Sequence, residues 1–179
     1  MFREIAQLLM AIQMSAPHAT PPDVRAAAFA NVIQEQAQAV DEDPFIFVAI
    51  IAHESQWGER AISEDGLDYG LMQVRHLYYG SNPKLLLNGE NNIRAGAYVI
   101  KKAKEFCRKY LKREPTTVEW MSVYQGHPRS CRPNRLAKKV VDFSLCLKAN
   151  VDEGRNYNCK HIYWPELKNK EDQETYTEL

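Results

Sequence analysis

The sequence predicts a mainly α domain in which short loop and β pieces separate two central helices. Apolar residues recur at helical spacing along most of the chain. One run, Phe45-Ile46-Phe47-Val48-Ala49-Ile50-Ile51-Ala52, is apolar nearly all round, as a buried helix is. Breakers concentrate in the stretch 59–88, where Gly66, Gly70, Gly80 and Pro83 leave room only for loops and short pieces. With 179 residues the chain suits one core better than two.

Taken in order, residues 1–22 form an N-terminal segment with an early Arg3 and a short apolar run over 5–14. Glu4, Gln7 and Gln13 dilute that run, and small Ala16 and Ala19 follow it. It reads as an amphipathic helix, with a weak export signal as the alternative. Thr20-Pro21-Pro22-Asp23 is a breaker followed by a cap, opening an Ala-rich helix over 24–40. Asp41 and Asp43 lead the next helix, with Pro44 suited to its first turn. The apolar run follows, then His53, Glu54, Ser55 and Trp57, with Gly58 as the stop. After the loop stretch, a long helix spans 90–111, and small Ala95, Gly96 and Ala97 permit close packing. Thr116 and Glu119 have capping-box spacing and open a short helix to Tyr124. A last amphipathic helix covers 134–148. The domain proper is therefore 23–150, with 151–179 as a partly disordered extension.

Composition narrows the function. Apolar content of 45% and charged content of 26% are those of an ordinary globular protein, and the formal net charge of zero gives no case for nucleic acid as partner. Basic runs over 101–113 and 129–139 and an acidic stretch from 166 read as solvated surface, weak attraction to an anionic polymer being the alternative. No stretch approaches the roughly 20 apolar residues that span a bilayer. Cys107, Cys131, Cys146 and Cys159 lack the C-x-x-C spacing of zinc or redox sites. They allow two disulfides in any of three pairings, or four free thiols. His53, His76, His127 and His161 are scattered, with no His-x-x-x-His spacing, so neither metal nor cofactor is expected.

Glu54 is the informative anomaly, a carboxylate ending a helix that is otherwise apolar. Desolvation there, together with the negative end of the helix dipole, raises its pKa toward what a general acid needs. Its surroundings carry a family resemblance. Ala49-Ile50-Ile51-Ala52-His53-Glu54-Ser55-Gln56-Trp57 resembles the Glu-Ser motif of lytic transglycosylases, and Gly70-Leu71-Met72-Gln73 matches their Gly-Leu-Met-Gln motif. Glu90-Asn91-Asn92-Ile93-Arg94-Ala95-Gly96-Ala97 is similar to their Asn-Ile-x-x-Gly helix start. Ser122-Val123-Tyr124-Gln125-Gly126 stands where they have Ala-Tyr-Asn-Ala-Gly. The four motifs fall in the family's order over 45–126.

The resemblance implies a lysozyme-like fold and non-hydrolytic cleavage of the bond between N-acetylmuramic acid and N-acetylglucosamine in peptidoglycan. It implies Glu54 as the acid/base. Ser55 would hydrogen-bond Glu54 or the leaving sugar, Gly70 would let backbone approach the sugar, and Leu71 would belong to the same substrate site. Met72 would offer an apolar platform, and Gln73 would hydrogen-bond an N-acetyl group or Glu54. Tyr124 would donate toward the acid or the acetamido group, with Gln125 beside it in the substrate site. Gln125-Gly126 is one residue shorter than the family's Asn-Ala-Gly, so the geometry after Tyr124 departs from the pattern.

Asp68-Tyr69-Gly70-Leu71-Met72-Gln73 also looks like the segment of animal-type lysozymes that carries their second carboxylate. Asp68 capping a turn and holding Tyr69 is the preferred reading, and hydrolysis by Glu54 with Asp68 the alternative. A non-catalytic peptidoglycan-binding component of a secretion or cell-wall machinery is a further alternative. The resemblance places the protein outside the cytoplasm, in periplasm or cell wall, and a phage origin would alter the biology without altering the chemistry.

Overall fold

A computed structural model describes residues 2–15, 23–79, 82–126, 130–153 and 159. Helices α1 (Phe2–Ser15), α2 (Asp23–Ala39) and α3 (Pro44–Ser55) come first. Asp43 caps α3 by accepting the Phe45 N–H, and Pro44 takes the first turn, where its missing donor costs nothing. Every residue from Phe45 to Ala52 is buried, because α1, α2 and α7 (Arg135–Glu153) all pack around α3. The all-round apolar run is thus the centre of the core. Leu8, Ala11 and Ile12 of α1 belong to that core as well, and Gln7 donates to Asp152 of α7.

Helix α3 stops at Ser55, three residues before the expected Gly58. Gln56 and Trp57 both take left-handed backbone, at φ 51° and 66°, which ends the helix and drives the Trp57 ring into the core near Phe29. The loop stretch then folds into a two-stranded antiparallel hairpin, β1 (Asp68–Tyr69) with β2 (Val74–Arg75). Gly70-Leu71-Met72-Gln73 is its turn. A short helix α4 (His76–Tyr79) and a 3-10 turn (Pro83–Leu87) lead to α5 (Gly89–Leu111), capped by Asn88. Gly96 lies against the Met72 side chain, with no room for a Cβ.

Helix α6 (Thr117–Tyr124) opens with the expected capping box between Thr116 and Glu119. Trp120 donates its indole N–H to Glu42 over 2.7 Å, and Lys104 of α5 bridges to the same carboxylate at 2.9 Å. These contacts fix α5 and α6 to the α2–α3 corner.

Helix α7 runs five residues past the expected 148. Asn150 is buried and donates to the Cys159 sulfur, and Cys146–Cys159 is a disulfide, so the last turn has partners. The second disulfide joins Cys107 of α5 to Cys131. All four cysteines are therefore paired, which stabilises the loops they close and fits an oxidising compartment. The reading of 16–22 and of the extension beyond 153, Cys159 apart, falls outside the described residues, as do His127 and His161. Among the described residues no helix is long and apolar enough to cross a membrane.

Candidate active site

The end of α3, the hairpin and the end of α6 meet around a cleft of about 420 Å³. His53 and Glu54 come from α3, and Asp68, Gln73 and Arg75 from the hairpin. Tyr124, Gln125 and Gly126 come from the end of α6, and Val99 and Leu136 add apolar wall from α5 and α7. Four of the expected residues, Glu54, Gln73, Tyr124 and Gln125, therefore face one space, and Asp68 joins them.

The Glu54 carboxyl is pushed up to about 7 by burial first and by the negative charge of Asp68 second. Near neutral pH it thus holds a proton for part of the time, as an acid catalyst must. Asp68 itself is raised by burial, against the pull of Arg75. Arg75 Nε lies 3.2 Å from the Asp68 carboxylate, and its Nη2 lies 2.9 Å from Asp65. The reading of Asp68 as a turn cap is corrected here. Ser63 and Asp65 cap that turn, accepting the Asp68 and Leu67 N–H groups. Tyr69 is held by its own hydroxyl, which donates to the Gly66 carbonyl. Asp68 is left to face the cleft and Arg75.

The remaining motif residues build the site from behind. Ser55 donates back to the Ile51 carbonyl at 3.2 Å and is not part of the cleft wall. Leu71 and Met72 are fully buried, so Met72 offers the cleft no platform; its side chain fills the core against Gly96. Gly70 has φ +75°, and a Cβ there would collide with the Asn92 side chain and the Leu86 carbonyl. Its role in the fold is therefore close packing on Asn92. Gln73, itself left-handed at φ 46°, spends its amide N–H groups on the Ala61 and Gly70 carbonyls. Tyr124 donates its hydroxyl to the Met72 carbonyl at 2.8 Å. Burial, then Glu54 and Asp68, hold that phenol well above its ordinary pKa, so it stays protonated.

Gln125 stands apart from these satisfied groups. Both its amide nitrogen and its amide oxygen are buried at the cleft wall without a hydrogen-bond partner among the described residues. A buried amide with neither bond made is costly unless something else supplies them.

Asn92, Arg75 and His53 also belong to the site. Asn92 is fully buried, accepts the Met72 N–H at 2.7 Å and donates to the Tyr69 and Leu86 carbonyls at 2.6 and 2.9 Å. Its signal was present in the Asn-Ile helix-start motif, though not its task. Arg75 carried no signal beyond its charge. His53 lines the cleft, and burial and then Lys139 lower its pKa, so its imidazole is neutral near pH 7. Among the described residues no cluster of His, Cys, Asp or Glu suits a metal.

The family model described as Transglycosylase SLT domain matches residues 31–123. That span takes in α3, the hairpin, α5 and all but the last residue of α6. No curated protein matches the chain.

Proposed function

The chain belongs to the Transglycosylase SLT domain family, and from that premise we propose that it cleaves the β-1,4 bond between N-acetylmuramic acid and N-acetylglucosamine in peptidoglycan, releasing 1,6-anhydro ends. The observation that carries this reading is Glu54, a carboxyl raised to about 7 at the wall of an open cleft. Its proton passes to the glycosidic oxygen as the C1–O bond breaks. The acetamido group of the same muramoyl residue stabilises the positive charge left at C1, so the scheme requires no second protein carboxylate. Glu54, now ionised, takes the proton of the C6 hydroxyl, whose oxygen bonds to C1 and closes the anhydro ring. The carboxyl ends as it began, protonated.

Around it, Asn92 and Tyr124 act as positioning residues that hold the hairpin turn to α5 and α6, and Gln73 ties the turn to Ala61. Ser55, Gly70, Leu71 and Met72 support the same turn and helix end from the core. Gln125 meets the sugar directly. The catalytic unit is 23–150, with the N-terminal helix packed against it. The substrate and the two disulfides support action outside the cytoplasm.

A second reading has a specific observation behind it. Asp68 faces the same cleft and raises the Glu54 pKa, an arrangement also suited to a hydrolase with a second carboxylate. Mass spectrometry of products from purified sacculi decides between the two. Anhydro ends support the transglycosylase and reducing ends the hydrolase. Glu54→Gln is expected to abolish both while the protein stays folded; turnover retained in that variant sinks either form of the proposal.

A further inference from the structure

Outside the cleft, the outer face of α5 carries aromatic rings that the core leaves in water. Tyr98, Phe106 and Tyr110 are 44%, 37% and 52% exposed. With Lys102 they recur every fourth residue, steps of about 6 Å along a helix. The Lys102 ammonium sits 5.4 Å from the Tyr98 ring centre, and it also bridges to Glu105. Phe106 and Tyr110 lie nearly parallel, at 13° with centres 6.1 Å apart. Lys109 is exposed on the same side of the helix, between them in sequence.

Helix α5 links the ridge to the cleft. Val99 is part of the cleft wall, and Phe106, seven residues on, lies two turns further along the same stripe of α5. The Cys107–Cys131 disulfide and the contact of Cys107 with the Glu119 carbonyl brace α5 at this level. The rings are therefore displayed on a braced support. Rings held in water at fixed intervals form the kind of exposed apolar stripe that marks a binding surface. The spacing and chemistry select the occupant. Pyranose rings present apolar C–H faces that stack on aromatic rings, and the ammonium groups between them suit the carboxylates of peptide stems.

We propose that the Tyr98-Lys102-Phe106-Tyr110 ridge is a second glycan-binding track, which holds the peptide-bearing strand where it leaves the cleft. The inference rests on the cleft being the glycan site and deepens that reading, from cleavage of one bond to retention of the polymer. It predicts that long, insoluble strands are held more tightly than short soluble ones.

The test separates the track from the chemistry. The Glu54→Gln chain, which binds without turnover, is sedimented with purified sacculi beside the same chain also carrying Phe106→Ala and Tyr110→Ala. Retention is expected to weaken about tenfold in the ridge variant, roughly the loss of one good stacking contact. With Glu54 intact, the same two substitutions should lower the ratio of turnover on sacculi to turnover on a soluble muropeptide tetrasaccharide by about tenfold. Undiminished retention overturns the track, as does an unchanged ratio of turnover. Undiminished retention with an altered oligomeric state assigns the ridge to a second copy of the chain instead. If the native chain cleaves no glycan at all, the catalytic reading fails, and sedimentation still decides the ridge.

Discussion

Tyr124 donates its hydroxyl to the main-chain carbonyl of Met72 across 2.8 Å, tying the end of α6 to the hairpin turn that faces Glu54. The bond makes Tyr124 a fastener, with its ring as cleft wall. Tyr124→Phe keeps the ring and removes the donor, stranding a buried carbonyl. Unfolding in urea is expected to show a loss of about 1–2 kcal/mol. The turn also carries Gln73, so kcat should fall more than KM rises. An unchanged unfolding midpoint would show that the bond does not secure the turn.

Glu54 and Asp68 set the pH profile together. A general acid works in its protonated form, so activity should decline as pH rises through about 7, the value to which burial and Asp68 push Glu54. Asp68→Asn removes a negative charge that opposes Glu54 ionisation. The Glu54 pKa then falls, and the alkaline limb of the kcat profile moves to lower pH. A limb that stays in place after Asp68→Asn would show that Asp68 does not tune the acid.

The same shift has a sign in stability. The folded pKa of Glu54 lies above its ordinary value of 4.5, so the folded chain binds that proton more tightly than the unfolded one. This contribution is complete below pH 4.5 and is lost as pH rises through 7. Glu54→Gln cannot ionise, so above pH 7 it should be more stable than the native chain by about 1–3 kcal/mol. The difference should vanish near pH 4. Calorimetric melts of both chains across that range test it.

Much of this fold is legible in the chain because its signals are local. The Thr116–Glu119 capping box, Pro44 after Asp43 and the apolar run after them each announce a helix by side chains within one or two turns. The site is less legible because its working parts act through tertiary contacts. Glu54 stands out through burial that its own helix predicts. Met72, by contrast, looks like a platform in sequence and proves to be core, because Gly96 on α5 opens a space for it. Asp68 looks like a turn cap, yet Ser63 and Asp65 take that task and free it to face Glu54. Helix α7 outruns its sequence pattern because its partner, Cys159, is drawn in by a disulfide that spacing leaves open.

Asn92 is the residue whose loss should cost the fold most among the polar groups. One amide satisfies three main-chain groups, the buried Met72 N–H and Leu86 carbonyl and the half-buried Tyr69 carbonyl. Asn92→Ala strands all three and is expected to lose about 3–5 kcal/mol. Asn92→Asp distinguishes bonding from volume. It keeps an acceptor for Met72 and sets a carboxylate against two carbonyls, so it should be far less stable at pH 7 than at pH 4. Equal melting at both pH values would show that filling the space suffices.

Gln125 offers the opposite balance, a residue whose removal should help the fold and harm the site. Its amide is buried with neither donor nor acceptor satisfied among the described residues, a state that costs the free protein the desolvation of both groups. Gln125→Met is close in volume and has no such groups to strand. The variant should match or exceed the native chain in stability, by up to about 1 kcal/mol. A sugar in the cleft brings what the amide lacks, hydroxyl and N–H donors beside carbonyl and ether acceptors. Those bonds exist only in the complex, so their loss should appear as a KM raised about tenfold, with kcat changed less. Calorimetry on the free proteins and steady-state kinetics on a soluble muropeptide measure the two halves separately. A variant that is both less stable and unchanged in KM would mean that the amide serves the fold and leaves substrate untouched.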